Sequence, residues 1–321
     1  MQEKELEIAG GSLYYEKLHN SILITRLQGL CSEVYIPRLI EDLPVCRIAK
    51  KAFLSKKNLR KVSLPDTIEE IGDWAFAYCD NLEQVELPGN AVRFGMAVFL
   101  DCGKLKRLVI SSAGEEIADS DGMGSEQDMV MTDISNVGRK DAINHLLAAA
   151  VTQMQAPYLL NLEEVGCTEW ISKWDARMLE ILKRPDAEGF SRQILCGEED
   201  YGSTDTNAYE SGRRKSKVRL LLLRLLYDTG LMEGLREYLI QYLREHTKGC
   251  SSEETWQVIL QEHGNDREYY QLFAELDCLT KDNFEAVIGD IGEEYPEMKA
   301  YFMRYKEDRI GYADFFEDLE L

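Results

Sequence analysis

The sequence is poor in the residues from which metal and redox sites are built. It has only four histidines, all isolated, and its eight cysteines are scattered singly without a CxxC pair. Zinc sites need clustered Cys and His ligands at short spacings. We therefore expect no metal or other cofactor, and we interpret the cysteines as small buried hydrophobic residues rather than disulfides.

Long hydrophobic runs are also lacking. The longest, LLLLRLLY at 220–227, is interrupted by Arg224, and the first twenty residues have no apolar core of the secretory type. A bilayer needs about twenty apolar residues in a helix. We therefore expect a cytoplasmic chain that has no membrane partner.

Nucleotide and nucleophile motifs are missing too, since no G-x-x-x-x-G-K, G-x-G-x-x-G or G-x-S-x-G occurs. We therefore expect no enzyme. Charge divides the chain: residues 1–110 carry 15 basic and 15 acidic side chains, so the net charge of −21 lies entirely in residues 111–321. This imbalance argues against a nucleic-acid partner, because phosphate binding needs a cationic surface.

What the sequence does contain is a repeat with a period of 23 residues. Six apolar columns align across three units. The columns are Ile48/Ile71/Phe94, Ala52/Ala75/Val98, Phe53/Phe76/Phe99, Leu59/Leu82/Leu105, Val62/Val85/Leu108 and Leu64/Leu87/Ile110. A fixed period in this range indicates a solenoid, in which each unit buries its apolar face against its neighbours.

Within each unit the apolar pattern changes from alternation to helical spacing. VSLP, VELP and LVI alternate, which predicts short parallel strands whose first and third residues face the core. IGDWAFAYC predicts an irregular or 3₁₀-like turn on the opposite side. Cys79 and Cys102 lie 23 residues apart in these turns, and we interpret them as buried structural residues.

The middle unit, IGDWAFAYCDNLEQVELP, resembles the leucine-rich repeats of the BspA-like family, which read roughly I-G-x-x-A-F-x-x-C-x-x-L-x-x-V-x-I-P. The resemblance covers about residues 30–110 and loosens in the third unit. It implies a leucine-rich β-solenoid whose first, longer unit ends a strand at Ile36–Pro37. Residues 10–29 would then form a hairpin-like cap.

Outward-facing residues of the strands and of the positions just before them form a candidate protein-binding face. Such ladders are the surfaces through which repeat proteins commonly bind. The candidate residues are Arg60, Lys61, Ser63, Glu83, Gln84, Glu86, Lys106 and Arg107. The alternative interpretation is that these are solvated charges in weak internal ion pairs.

The second half of the chain is predicted to be helical. Residues 111–137 lose the repeat and are interpreted as an acidic linker between a domain at 1–110 and a domain at 138–321. From 138 onward apolar residues recur at i, i+3, i+4 and i+7, which predicts short helices paired into helical hairpins. The end of this region resembles ankyrin-type or related repeats without their T-P-L-H signature. The fold class is thus α+β: a leucine-rich-repeat β-solenoid followed by an all-α domain.

One stretch, residues 195–217, interrupts the helical pattern and is the candidate functional loop. Acidic residues follow a cysteine here and a basic cluster comes next. The candidate residues are Cys196, Glu198, Glu199, Asp200 and Tyr201. A surface loop explains the stretch without chemistry, although loops carry a large share of functional residues.

These observations favour a non-enzymatic interaction protein that binds protein partners through its repeat surfaces. The alternative is a ligand-binding or enzymatic helical domain centred on residues 195–217. A third, weaker hypothesis is a surface adhesin, because many BspA-like repeat proteins are surface-exposed.

Overall fold

A computed structural model describes residues 3–90, 92–111, 134–190 and 205–310. It divides the chain into two compact units, Met1–Leu179 and Glu180–Leu321. This division differs from the domains expected from the sequence, because the first helix and most of the second group with the repeats. Most of the expected linker, residues 112–133, lies outside the described residues.

The first unit begins with eleven strands among its described residues. They are β1 (Lys4–Ile8), β2 (Gly11–Lys17), β3 (Ile22–Gly29), β4 (Glu33–Tyr35), β5 (Leu39–Ile40), β6 (Leu43–Ile48), β7 (Lys61–Ser63), β8 (Glu70–Ile71), β9 (Gln84–Pro88), β10 (Arg93–Phe94) and β11 (Arg107–Ser111). The solenoid part forms two parallel ladders, β3-β6-β8-β10 and β4-β7-β9-β11. The sequence predicted the second ladder and missed the first, whose β8 and β10 are only two residues long.

Each coil is held by the apolar columns that the repeat predicted. Phe53, Phe76 and Phe99 stack with ring centroids 4.8 and 5.6 Å apart. Val62 pairs in register with Val85, and both are fully buried. The 23-residue period thus places identical side chains one above another, so each coil buries its apolar face against the next.

The turns of the solenoid use left-handed backbone at two positions in every coil. The residues are Lys51, Trp74 and Ala97 in one column, and Ser55, Tyr78 and Asp101 in the other, with φ between 51° and 62°. Left-handed backbone costs an L-residue roughly 1–2 kcal/mol relative to the right-handed form. The predicted irregular turn is therefore confirmed, and its shape is imposed by stacking rather than by glycine.

We expect Ser55→Gly to raise the free energy of unfolding of the first unit by about 0.5–1 kcal/mol, because glycine adopts positive φ without steric cost. Ser55→Val is expected to lower it, since a β-branched residue is strained there. Urea unfolding measures both. The matched control is Ser63→Gly in β7, which should be destabilising; a gain of equal size there would contradict the explanation.

The N-terminal end of the solenoid is covered by the antiparallel β1–β2–β3 sheet. This sheet confirms the hairpin-like cap and adds β1 to it. Glu41, in the turn after β5, contacts three residues of this cap. Its carboxylate accepts hydrogen bonds from Tyr15 Oη at 2.6 Å and Lys4 Nζ at 2.9 Å, and it forms an ion pair with Lys17. The hydrogen bonds from Lys17, Lys4 and Tyr15 lower the pKa of Glu41 to about 2.

This pKa makes the cap sensitive to acid. Because the pKa of Glu41 is lower in the folded protein than its ordinary value of 4.5, its contribution to stability is complete above about pH 4.5 and is lost as the pH falls towards 2. We expect Glu41→Gln to destabilise the first unit at neutral pH and to match wild type near pH 2. Urea unfolding between pH 2 and 7 measures this, with Glu7→Gln as the control; a pH-independent difference would contradict it.

The C-terminal end of the solenoid is covered by helix α1 (Ile134–Thr152), which packs against β11. A 3₁₀ helix (Pro157–Leu160) and α2 (Thr168–Lys183) follow. Two buried tryptophans fix this cap: Trp170 Nε1 donates to the Leu159 carbonyl at 2.9 Å, and Trp174 Nε1 donates to the Leu146 carbonyl at 2.8 Å.

The second unit is helical throughout its described residues, which confirms the predicted fold class. Its helices after α2 are α3 (Thr206–Leu226), α4 (Glu233–Glu245), α5 (Glu254–Glu262), α6 (Arg267–Glu275), α7 (Phe284–Ile291) and α8 (Pro296–Tyr305). α3 packs against α4, α5 and α6, and α8 packs against α6 and α7. None of the helices in the described ranges is long and apolar enough to cross a membrane.

Aromatic residues at helical spacing form the core of this unit. Trp256, Tyr270, Phe273 and Phe302 are buried against one another. Thr280 and Asn283 form the start of the seventh helix. α7 begins after Asn283, and the two side chains exchange hydrogen bonds with each other's backbone N–H groups, as in a capping box.

Candidate protein-binding face

The outward side of the β4-β7-β9-β11 ladder forms a continuous surface, which we call the strand face. Its strands pair in parallel register, so alternate side chains stand one above another. One row is Glu33, Lys61, Gln84 and Arg107, and the other is Tyr35, Ser63, Glu86 and Val109.

Charges on this face are paired within the face. Lys61 Nζ lies 2.6 Å from Glu86 Oε1, which also accepts a hydrogen bond from Gln84 Nε2 at 3.1 Å. Burial alone would raise the pKa of Glu86, but hydrogen bonds from Lys61 and Ser63 lower it overall. The hydrogen bond to Glu86 raises the pKa of Lys61 in turn. The central part of the face is therefore a fixed, neutral polar network.

Tyr35 stands at the open end of the face and is 56% exposed. Its hydroxyl donates to Glu33 Oε2 at 3.0 Å, and the Lys61 ammonium lies 5.8 Å from its ring centroid. These contacts hold the ring on the surface without burying it. Tyrosine is one of the three residue types, with tryptophan and arginine, that are enriched among the residues that dominate binding at protein interfaces.

The residues just before the strands extend the ladder along its edge. Glu83 N–H donates to the Arg60 carbonyl at 2.8 Å, and Lys106 N–H donates to the Glu83 carbonyl at 3.0 Å. The Arg60 and Glu83 side chains lie 3.7 Å apart and are both more than half exposed. Such an exposed pair contributes little to stability, typically below about 1 kcal/mol.

At the other end of the face, α1 covers part of the surface. Arg107 Nη2 lies 2.5 Å from Asp141 Oδ1 on α1, and its buried Nε has no hydrogen-bond partner among the described residues. His145 Nε2 is 3.7 Å from the same Asp141 carboxylate. Arg107 is thus bound to α1, and the open part of the strand face runs from β4 to β9.

The structure brings the eight candidate residues of the face together in one ladder, and their binding role stays a prediction. Sequence reasoning missed Glu33 and Tyr35, because 28 residues rather than 23 separate Val34 from Val62. The segment VYIP at 34–37 has the same apolar pattern as VSLP at 62–65, and this match could have indicated the additional strand. Nothing in the sequence pointed to Asp141 as the partner of Arg107.

The turn cysteines are buried, as their spacing predicted. The thiols of Cys79 and Cys102 donate to the carbonyls of Phe53 and Phe76, at 3.0 and 3.1 Å. Burial raises the pKa of Cys79 to about 11 and that of Cys102 to about 12. A thiol with such a pKa is almost entirely protonated at neutral pH and is a poor nucleophile.

The second candidate site lies mostly outside the described residues. Cys196, Glu198, Glu199, Asp200 and Tyr201 all fall within 191–204. The predicted loop is wrong from Thr206 onward, because α3 begins there. The basic cluster is part of α3 and contacts α5: Arg214 bonds Glu254 at 2.9 Å, and Arg219 bonds Glu262 at 2.6 Å.

Comparison with known proteins supports the assignment of the repeats. Residues 39–121 match the BspA type leucine rich repeat region, in six copies. No curated protein matches the sequence. Four solved structures of leucine-rich proteins resemble part of the chain, with TM-scores of 0.28 to 0.30.

Three of these structures illustrate the extent of the similarity. The T. pallidum leucine rich repeat protein is 33% identical over 33% of this chain and 50% of its own, with a TM-score of 0.30. A leucine-rich repeat protein from Bacteroides capillosus is 27% identical over 32% of this chain and 78% of its own, with a TM-score of 0.28. A leucine rich cell surface protein from Faecalibacterium prausnitzii is 24% identical over 35% of this chain and 31% of its own, with a TM-score of 0.29.

The chain thus spans about half the length of the T. pallidum protein and about a third of the Faecalibacterium protein. The sequence columns, the stacked coils and the family match overlap over residues 48–110. Residues 39–121 are a BspA-type leucine-rich repeat region.

Proposed function

We propose that this chain is a non-enzymatic scaffold that binds a protein partner through the open part of the strand face. The observation that carries the proposal is the exposed Tyr35 at the end of a rigid ladder of outward side chains. The family match supports a protein-interaction repeat scaffold in general terms.

Preorganisation favours binding by this face. Lys61, Gln84 and Glu86 are held in one network, so a partner does not have to order them, and binding loses little side-chain entropy. Coil-to-coil backbone bonds fix the ladder beneath them. The surface therefore offers a defined shape and fixed hydrogen-bonding groups.

The charge balance of the face favours a partner of low charge. The open part of the two rows carries two acidic side chains, Glu33 and Glu86, and one basic side chain, Lys61, so it has no excess of positive charge. Nucleic-acid recognition needs an excess of cations to neutralise phosphates. We expect recognition through shape, hydrogen bonds and the Tyr35 ring, with weak dependence on salt.

Site-specific crosslinking tests the proposal. A benzophenone amino acid placed at Gln84 should capture one discrete protein from the native lysate, whereas the same group at Tyr78, on the turn side, should not capture that protein. The captured protein is then purified and titrated against the chain. We expect Tyr35→Ala to raise the dissociation constant about tenfold or more.

Lys57→Ala is the matched control, because Lys57 is an exposed turn residue that pairs with Asp80 away from the strand face. It should leave the affinity unchanged. Equal effects of Tyr35→Ala and Lys57→Ala, or capture of the same protein from Tyr78, would overturn the proposal. Circular dichroism of both variants verifies that the fold is retained.

A further inference from the structure

Successive turns of the solenoid are joined by a repeating set of three backbone hydrogen bonds. In the first turn, alternate N–H groups donate to alternate carbonyls of the next coil. The bonds are Lys51 to Asp73 at 3.0 Å, Phe53 to Ala75 at 2.7 Å and Ser55 to Ala77 at 2.9 Å.

The second turn repeats the set one coil further along. The bonds are Trp74 to Met96 at 2.9 Å, Phe76 to Val98 at 3.0 Å and Tyr78 to Leu100 at 2.7 Å. Each turn therefore presents three backbone N–H groups, at positions i, i+2 and i+4. They donate to three carbonyl oxygens of a neighbouring segment that has the same backbone shape.

In the last turn the same three donors are Ala97, Phe99 and Asp101. Their N–H groups have no hydrogen-bond partner among residues 3–90, 92–111, 134–190 and 205–310. α1 packs against β11, on the strand side of this coil. The turn side therefore ends in a row of unused donors, like the open edge of a sheet.

An apolar cleft of about 270 Å³ lies beside these donors. Its walls come from the last turn, from the end of α1 and from the 3₁₀ helix. It is lined by Gly95, Ala97, Val98, Phe99, Leu100, Val151, Gln155, Pro157 and Leu160. None of these side chains is ionisable, so a charged group placed there would lose its hydration without gaining a partner.

From this geometry we infer that the turn side of the last coil binds an uncharged peptide segment in trans. Three alternate carbonyl oxygens of the peptide accept hydrogen bonds from Ala97, Phe99 and Asp101, and an apolar side chain enters the cleft. Main-chain bonds supply affinity and the cleft supplies selectivity, as in strand addition to a sheet edge. This site is separate from the strand face.

Head-to-tail binding of a second copy does not fit the same donors. The carbonyl of Ala52, which corresponds to Ala75 one coil later, already accepts from Leu27 N–H at 3.0 Å. The first turn is therefore closed by β3. A small molecule would fill the cleft but leave the three evenly spaced donors unused, so a peptide backbone is the better match.

The sequence of the chain provides a probe for this site. Residues 94–100, FGMAVFL, are uncharged and carry the three carbonyls, of Met96, Val98 and Leu100, that accept from the turn before them. The probe is this heptapeptide, acetylated and amidated, titrated into the full chain by NMR. We expect shifts and slowed hydrogen exchange at the amides of Ala97, Phe99 and Asp101.

Variants at the end of α1 test the role of the cleft. Val151→Trp fills the cleft and is expected to raise the dissociation constant about tenfold or more. Gln153→Trp is the matched control, because it adds the same ring two residues away, outside the lining, and should leave binding unchanged. Replacing the second phenylalanine of the probe, which corresponds to Phe99, with aspartate should abolish binding.

Several outcomes would overturn the inference. One is the absence of amide shifts at millimolar heptapeptide in the wild-type chain, a measurement that does not depend on whether Val151→Trp folds. Another is equal affinity of wild type and Val151→Trp. A third is self-association, detected by sedimentation, together with slowed hydrogen exchange at these amides in the absence of peptide. That result would make a second copy of the chain the occupant. Tyr35→Ala should leave heptapeptide binding intact, which separates this site from the strand face.

Discussion

Phe76→Ala is expected to destabilise the first unit by about 3–5 kcal/mol, the usual cost of removing a buried phenylalanine. The Phe76 side chain is fully buried, and its ring lies 4.8 Å from that of Phe53 and 5.6 Å from that of Phe99. The substitution leaves a cavity that two coils share. Since domains are stable by only about 5–15 kcal/mol in total, the loss is a large fraction.

The position of the phenylalanine in the stack sets the size of the effect. Phe99 is stacked on one ring of the column and Phe76 on two, so Phe99→Ala is expected to cost less. In a solenoid each coil is stabilised only by its neighbours, and a change in the middle weakens two interfaces. Phe76→Leu, which keeps most of the volume, should cost below about 1.5 kcal/mol.

Urea unfolding followed by far-UV circular dichroism and tryptophan fluorescence measures these differences. Trp74, one of four tryptophans, lies in the same turn as Phe76, so part of the emission reports on the middle coil. Equal costs for Phe76→Ala and Phe99→Ala would contradict nearest-neighbour coupling between coils. A cost of Phe76→Leu as large as that of Phe76→Ala would show that the shape of the ring, rather than buried volume, dominates.

The second large effect is expected from Arg214→Met in the helical unit. Arg214 Nε donates to Glu254 Oε1 at 2.9 Å, and Arg214 Nη1 lies 3.4 Å from Asp186 Oδ2. The Glu254 side chain is only 4% exposed, and its Oε2 has no hydrogen-bond partner among the described residues. Removing the guanidinium leaves a buried carboxylate without its ion-pair partner, which typically lowers the free energy of unfolding by about 3–5 kcal/mol.

Asp186 retains a partner in this variant, because Lys217 Nζ lies 2.7 Å from its Oδ1. The loss therefore comes mainly from Glu254. Adding Glu254→Gln to Arg214→Met should recover part of the stability, since a neutral amide is cheaper to bury than an unpaired charge. Failure of this second substitution to recover any stability would contradict the explanation.

The pH dependence provides an independent check. Burial alone would raise the pKa of Glu254, but the hydrogen bond from Arg214 lowers it overall. In the wild type this carboxylate therefore contributes stability above its ordinary pKa of 4.5, and the contribution is lost as the pH falls. Without Arg214 the effect of burial is opposed by fewer hydrogen bonds, so the pKa of Glu254 is higher than in the wild type. The difference in free energy of unfolding between Arg214→Met and wild type should therefore shrink on acidification.

The match between sequence and structure is best where a pattern repeats. The column of Phe53, Phe76 and Phe99 could be read from spacing alone, because each coil must bury the same positions against the next. β8 and β10 were missed, because two residues in strand conformation leave no alternation to detect. The left-handed backbone of Trp74 was missed as well, since no glycine marks it.

The candidate sites depend more on contacts between distant residues. The ladder of Lys61, Gln84 and Arg107 follows from the period of 23. The attachment of Arg107 to Asp141 does not, because 34 residues separate them and no pattern links them. For the same reason the basic cluster of α3 gave no indication that Arg214 would meet Glu254, forty residues later.

The sequence by itself determined the solenoid, since a periodic apolar pattern has only one way to bury every unit. It also determined that the second half would be helical, because its apolar residues recur with helical spacing. Only the tertiary structure decided where the repeats end, which charges are paired, and which backbone donors remain unused. Those features depend on how α1 packs against the last coil, and no local pattern encodes such a packing.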